Sequence, residues 1–205
     1  MRNNFDRIAP FYDLLVRLVF GRMLGKAASR YLGVVTPAQR VLVVGGGTGR
    51  ILDYLPDSAE ITYLELSSLM LEKARARQER NVTYIQEDFI QWQYQHKYDV
   101  IVFPFFLDVF GEKNLDRVIE KTKKLLDKDG LLLVSDFQST SRRIHQLLLK
   151  LMHLFFRLVA DLESRKLLEI RSLLTEGGFL EVESETYSGG LIFSCYYRLS
   201  VHSTG

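Results

Sequence analysis

The sequence predicts an α/β fold in which a mostly parallel sheet carries helices on both faces and ends in an antiparallel hairpin. Three observations carry that expectation. Short apolar runs, each fit for a fully buried strand, alternate with helical patterns along much of the chain. The first run enters Gly45-Gly46-Gly47-Thr48-Gly49, a turn whose missing side chains let backbone N–H groups approach a bound molecule. The last two runs are joined by Tyr187-Ser188-Gly189-Gly190, too short for a crossover helix, and so must be antiparallel.

In order along the chain, apolar residues at helical spacing (Phe11, Leu14, Leu15, Leu18, Val19) predict N-terminal helices over residues 4–32, with Gly33 as their C-cap. A strand at 40–44 precedes the glycine turn, and a helix at 50–55 follows it and stops before Pro56. A strand at 61–66 leads to Ser67, an N-cap for a helix through Leu69, Met70 and Ala74. Strands are expected at 82–86, 98–103 and 131–135, with an amphipathic helix at 115–126. The closing strands are 179–186 and 191–199; no repeat, low-complexity tract or linker interrupts the pattern.

With 205 residues and 47% hydrophobic content, the chain can bury one substantial core, so a single domain over 1–205 is expected. The formal charge of +2 comes from scattered basic residues, too few in any strip for a nucleic-acid footprint. Cys195 is the lone cysteine and no charged-then-apolar leader opens the chain, which predicts a cytoplasmic location. No metal site is expected.

Glycine spacing narrows the ligand. A dinucleotide fingerprint needs glycines at its first, third and sixth positions, but counting from Gly45 the sixth residue is Arg50. The glycines fall at the first, third and fifth, which argues against NAD. Glu65 lies about 20 residues beyond the turn, at the end of the second strand, where a carboxylate can accept from both ribose hydroxyls; it could also simply cap the next helix. Asp88 ends the third strand on the same sheet edge, suited to an exocyclic amine, with Phe89 to cover a base. Alone, Asp88 would also suit a turn. Together these residues point to a nucleoside, adenine in particular.

Residues 41–49, Leu64-Glu65-Leu66-Ser67-Ser68-Leu69-Met70-Leu71-Glu72-Lys73-Ala74, Glu87-Asp88, Tyr98-Asp99-Val100-Ile101-Val102, residues 125–134 and Leu174-Thr175-Glu176-Gly177-Gly178-Phe179 resemble the successive motifs of class I S-adenosylmethionine-dependent methyltransferases. Phe5-Asp6-Arg7-Ile8-Ala9-Pro10-Phe11-Tyr12-Asp13 resembles the N-terminal lid of the small-molecule branch that includes the ubiquinone and menaquinone biosynthesis C-methyltransferases. The resemblance implies a Rossmann-like seven-stranded sheet, a helical lid over 1–36 and S-adenosylmethionine as cofactor. It also implies roles: Gly45, Gly47 and Gly49 at the methionine moiety with Tyr12 closing over it, Glu65 at the ribose, and Asp88 and Phe89 at the adenine, with Gly46, Thr48 and Leu66 among the cofactor-binding residues. Phe103 and the residues after it, through Asp108, would line the donor–acceptor junction. Three departures stand out. Val43 occupies a position that is commonly acidic in the family, Gly46 is an additional glycine that would loosen the loop, and Lys128 replaces a proline.

Phe103-Pro104-Phe105-Phe106 has no polar side chain to receive a proton from a nucleobase amine, which speaks against a DNA acceptor and for an apolar one, although such residues also suit a core. Within the insertion at 139–174, Gln146, Lys150, His153 and Arg157 fall on one helical stripe about 60° wide and the rest of that helix is apolar. Residues 142–160 would therefore cover a lipophilic pocket, meet a second copy, touch a membrane surface or be buried within their own domain. If the acceptor is a phenol or hydroquinone, Asp108, Asp136, His145 or His153 could take its proton. The rival expectation is a non-catalytic domain that binds the nucleoside or a partner, its loop altered at Val43.

Overall fold

The computed structural model describes residues 22–77, 82–142 and 168–200, whose seven strands form one sheet. The strands are β1 (Arg40–Val44), β2 (Glu60–Leu64), β3 (Val82–Ile85), β4 (Tyr98–Pro104), β5 (Leu126–Phe137), β6 (Phe179–Tyr187) and β7 (Ile192–Leu199). Their spatial order is β3-β2-β1-β4-β5-β7-β6. Pairings from β3 across to β5 are parallel, and β7 runs antiparallel to both β5 and β6. The expected Rossmann-like sheet is thus present. The hairpin differs in one respect from a simple terminal addition, because its second strand inserts between β5 and its first.

The α-helices among the described residues are α1 (Met23–Ser29), α2 (Ser68–Arg77), α3 (Glu112–Leu125) and α4 (Ile170–Glu176). Strand β1 is buried on both faces, as its unbroken apolar run requires. Leu42 and Val44 point into one layer with Leu115, Val118 and Ile119 of α3 and Leu174 of α4. Val41 and Val43 point into the other, with Leu71 and Ala74 of α2 and Leu52. Each layer repeats the period of its element. On α3, Leu115, Val118, Ile119, Thr122 and Leu125 are buried, and on α2 the expected cap is seen as Met70 N–H donating to Ser67 Oγ at 3.2 Å.

Helix α1 is tied to the sheet by polar contacts. The Ala27 carbonyl at its end accepts from Ser135 Oγ at 3.0 Å and from Ser194 Oγ at 2.8 Å. The same carbonyl also accepts from Arg30 N–H at 3.1 Å, so the two hydroxyls add to a helical bond and fasten this end of α1 to β5 and β7.

Several boundaries differ from the sequence pattern. The first described helix ends at Ser29, and Gly33 lies inside a 3₁₀ turn, Leu32–Val34, not at a C-cap. Residues Arg50–Tyr54 form a 3₁₀ turn instead of an α-helix. With Gly49 in the left-handed region before it and Leu55-Pro56 after it, five residues are too few for an α-helix to become established. Helix α3 starts and stops earlier than expected, and β5 begins at Leu126 because Leu126 pairs with Tyr98 ahead of a register shift.

Candidate functional site

Strand order reverses between β1 and β4, since the chain runs outward from β1 to β3 and returns to β4 on the other side of β1. Open parallel sheets bind ligands at such a point, beyond the carboxyl ends of the strands. A cleft with about 730 Å³ of non-protein space, its open mouth included, lies there. One wall is polar and acidic, formed by Gly45, Gly47, Glu65, Glu87 and Asp88; the other is apolar, formed by Phe89, Phe105, Phe106, Val109 and Phe110. Val44, Leu64, Leu66 and Met70 complete the lining.

The glycine loop divides its residues between the cleft and the core. Phe106 lies over Gly45, where a Cβ would stand 2.8 Å from Phe106 Cδ2. Gly49 faces the other way: at φ 79°, a Cβ would meet Ala74 of α2 at 2.8 Å, so this glycine lets the loop lie against the helix. Thr48 is buried, and Thr48, Gly46 and Gly49 are outside the cleft lining. They shape the turn that presents Gly45 and Gly47 to the cleft. Gly46 lies against Tyr63 of β2. A side chain there would overlap the Tyr63 hydroxyl.

Glu65 stands just past β2 and is 8% exposed. Its Oε2 accepts from Gly47 N–H at 3.0 Å and its Oε1 from Ser67 N–H at 2.9 Å. A buried carboxylate is tolerated when backbone donors hold it. These bonds also tie the glycine loop to the start of α2. Asp88 accepts from Ile90 N–H at 2.8 Å, the turn role open to it, while also lining the cleft. Phe89 stands edge-on to Phe103 and Phe106, with ring centroids 5.7 Å from each.

At the end of β4, Phe105 and Phe106 line the cleft, while Phe103 is 1% exposed and packs in the core. Alternation along the strand turns Phe103 inward. Phe105 has φ 58°, an uncommon conformation for a residue with a side chain, and its N–H donates to the Ser135 carbonyl at 2.7 Å. That bend starts the loop that carries the aromatic wall. Val109, Phe110, Met70 and Glu87 were not singled out by sequence; Glu87, beside Asp88, had the most legible clue.

Two candidate bases meet behind this wall. Asp136, fully buried on β5, accepts at Oδ2 from Leu107 N–H at 2.9 Å and Asp108 N–H at 3.3 Å, and at Oδ1 from its neighbour Phe137 N–H at 2.8 Å. Burial pushes the Asp108 carboxyl up to about 7. Burial, then the charge of Asp108, raises Asp136 well above the usual carboxylate range, against the pull of its backbone donors. Asp108 sits between Leu107 and the wall residue Val109 and is itself outside the cleft lining. Tyr12, His145, His153 and residues 143–160 lie outside the described residues.

Val43 is fully buried among apolar side chains on the face opposite Leu42 and Val44. An ionised carboxylate in that cluster would carry a large desolvation cost.

Residues 41–130 match the family model described as a methyltransferase domain. No curated protein sequence matches the chain. Among solved structures, a chain of the Haloferax volcanii complex between the Trm112 methyltransferase activator and a methyltransferase superposes with a TM-score of 0.74 at 14% identity, covering 98% of this chain and 99% of that one. The Burkholderia thailandensis 1,6-didemethyltoxoflavin-N1-methyltransferase, solved with 1,6-didemethyltoxoflavin and S-adenosylhomocysteine, gives 0.71 at 16% identity, covering 96% and 87%. The CcbJ methyltransferase of Streptomyces caelestis gives 0.69 at 17% identity, covering 97% and 98%. This chain has the fold of the class I methyltransferases, and the methyltransferase-domain match falls on the strands and loops that build its cleft.

Proposed function

We propose that the chain is an S-adenosylmethionine-dependent methyltransferase acting on a small lipophilic acceptor, quinol-like or lipid-like. The observation that carries this reading is the two-sided cleft. Its described lining holds three carboxylates and no basic side chain, so a pyrophosphate would be repelled where a positively charged nucleoside would be attracted. The glycine loop also leads into a 3₁₀ turn, which lacks the long helix N-terminus that dinucleotide phosphates use. Both features fit S-adenosylmethionine, which carries a sulfonium and no phosphate.

When bound, that cofactor would supply an electrophilic methyl group whose leaving group is a neutral thioether. The chain's own residues bind and orient. Glu65 would accept from the ribose hydroxyls, Asp88 from the adenine amine, and Phe89 would cover the base; Gly45 and Gly47 would face the methionine end. Phe105, Phe106 and Phe110 would hold an apolar acceptor and exclude water, so that alignment supplies most of the rate gain. For a phenolic acceptor, the Asp108–Asp136 pair would receive the proton, with Asp108 nearer the wall. The likeness of residues 5–13 to the ubiquinone and menaquinone branch supports the quinol-like acceptor, and the lone Cys195 supports a cytoplasmic setting. Among the described residues no helix is long and apolar enough to cross a membrane.

The test is transfer of labelled methyl from S-adenosylmethionine to a panel of quinols and lipids, beside polar amines as controls. Labelled quinol or lipid is the expected result. Labelling confined to the amines would overturn the acceptor class, and cofactor binding without turnover on any acceptor would favour a non-catalytic binder.

A further inference from the structure

We infer that Tyr63 is a positioning residue for the cofactor loop, its buried hydroxyl fixing the backbone of Gly47 where that backbone faces the cleft. The inference rests on the reading of the cleft as an S-adenosylmethionine site. Tyr63 lies on β2, is 0% exposed, and donates from its hydroxyl to the Gly47 carbonyl at 3.0 Å. Gly47 N–H donates to Glu65 Oε2, also at 3.0 Å. Both peptide groups flanking the Gly47 Cα are therefore held by side chains two residues apart at the end of the neighbouring strand. A loop residue at φ 62° with no side chain has little else to define its orientation.

Two neighbours show that the phenol is built into the turn. A Cβ on Gly46 would lie 2.7 Å from ring carbons Cε2 and Cζ of Tyr63 and would overlap its hydroxyl, so the absence of a side chain at Gly46 makes room for the ring. Val43, the register partner of Tyr63 across β1 and β2, carries no polar side-chain atom with which to tie the loop from below. The ring itself is steadied by Tyr84, 5.6 Å away between centroids, whose own hydroxyl donates to the Ala74 carbonyl. Tyr84 thus supplies a matched control: a second phenol in the same layer, bonded to a helix and not to the loop.

The experiment compares Tyr63→Phe and Tyr84→Phe with the wild-type protein. It reads S-adenosylhomocysteine affinity by calorimetry, amide hydrogen exchange across residues 45–49 without ligand, and the KM and kcat for the methyl donor. Tyr63→Phe is expected to weaken binding about three- to tenfold, the worth of one neutral hydrogen bond. Loop exchange should accelerate and donor KM should rise, with kcat at saturation near the wild-type value and the unfolding temperature lower by only about 2–4 °C. Tyr84→Phe, which keeps the ring beside Tyr63 and removes no bond to the loop itself, should change affinity and loop exchange by less than twofold. Wild-type affinity and exchange in Tyr63→Phe would overturn the inference while leaving the cofactor reading intact. Failure of the wild-type protein to bind S-adenosylhomocysteine would overturn that reading, and the inference with it.

Discussion

Glu65 is the residue on which the site turns, because its carboxylate lines the cleft and also holds Gly47 and Ser67 by their N–H groups. Replacement by Ala removes a charged acceptor worth about 1.5–3 kcal/mol per bond. Glu65→Ala should therefore weaken S-adenosylhomocysteine binding about 10- to 100-fold by calorimetry. Asp108 gives a pH prediction with a definite sign. Its carboxyl is raised to about 7 by burial, so between the unfolded value near 3.9 and that folded value the native state binds more protons than the unfolded chain. Its contribution to stability is present in acid and is lost as pH rises through about 7. Thermal unfolding across that range should show the decline, and Asp108→Asn should flatten it. If the same carboxylate is the base, methyl transfer to a phenolic acceptor should rise with pH over the same interval, and the Asn variant should lose that limb. Glu65, Leu66, Asp88 and Phe89 were legible as cleft residues because each lies within a few residues of the carboxyl end of β2 or β3. The sequence placed Gly46, Thr48, Gly49 and Phe103 there too, since neighbouring positions in a turn or strand point opposite ways and a motif records only their order.

At the scale of elements, the β1 turn and α2 form one unit. Gly49 lets the turn rest on Ala74, and the Glu65–Ser67 bond leads into the helix cap. Gly49→Ala would force a Cβ to within 2.9 Å of the Ala74 Cα as well as meeting its Cβ, in a backbone conformation that Ala disfavours. Left-handed strain and overpacking together should cost about 2–4 kcal/mol, measurable by urea unfolding as a lower midpoint with an unchanged slope. The strands were the most legible elements, because continuous apolar runs and a four-residue join leave few alternatives. Short connecting turns were less so. Arg50–Tyr54 has helical spacing but lies between a left-handed glycine and a proline, and a five-residue window does not separate α from 3₁₀. The insertion of β7 between β5 and β6 is set by long-range pairing, such as Val134 with Cys195, which no local pattern encodes.

For the whole molecule, strand order determines where chemistry can occur. Reversal between β1 and β4 opens the sheet's carboxyl edge, β2 and β3 bring acidic side chains to one side, and the loop after β4 brings aromatic ones to the other. The structural neighbours, at 14–17% identity, speak to this fold and not to the reaction. The cleft itself favours S-adenosylmethionine: Gly45 and Gly47 face it, one wall is acidic, and no basic side chain is among the described lining residues. Isothermal titration of the 205-residue chain with S-adenosylhomocysteine, beside NAD, tests that claim most directly. Saturable one-to-one binding of S-adenosylhomocysteine and none of NAD is the predicted result; NAD binding, or no binding of S-adenosylhomocysteine, would contradict it.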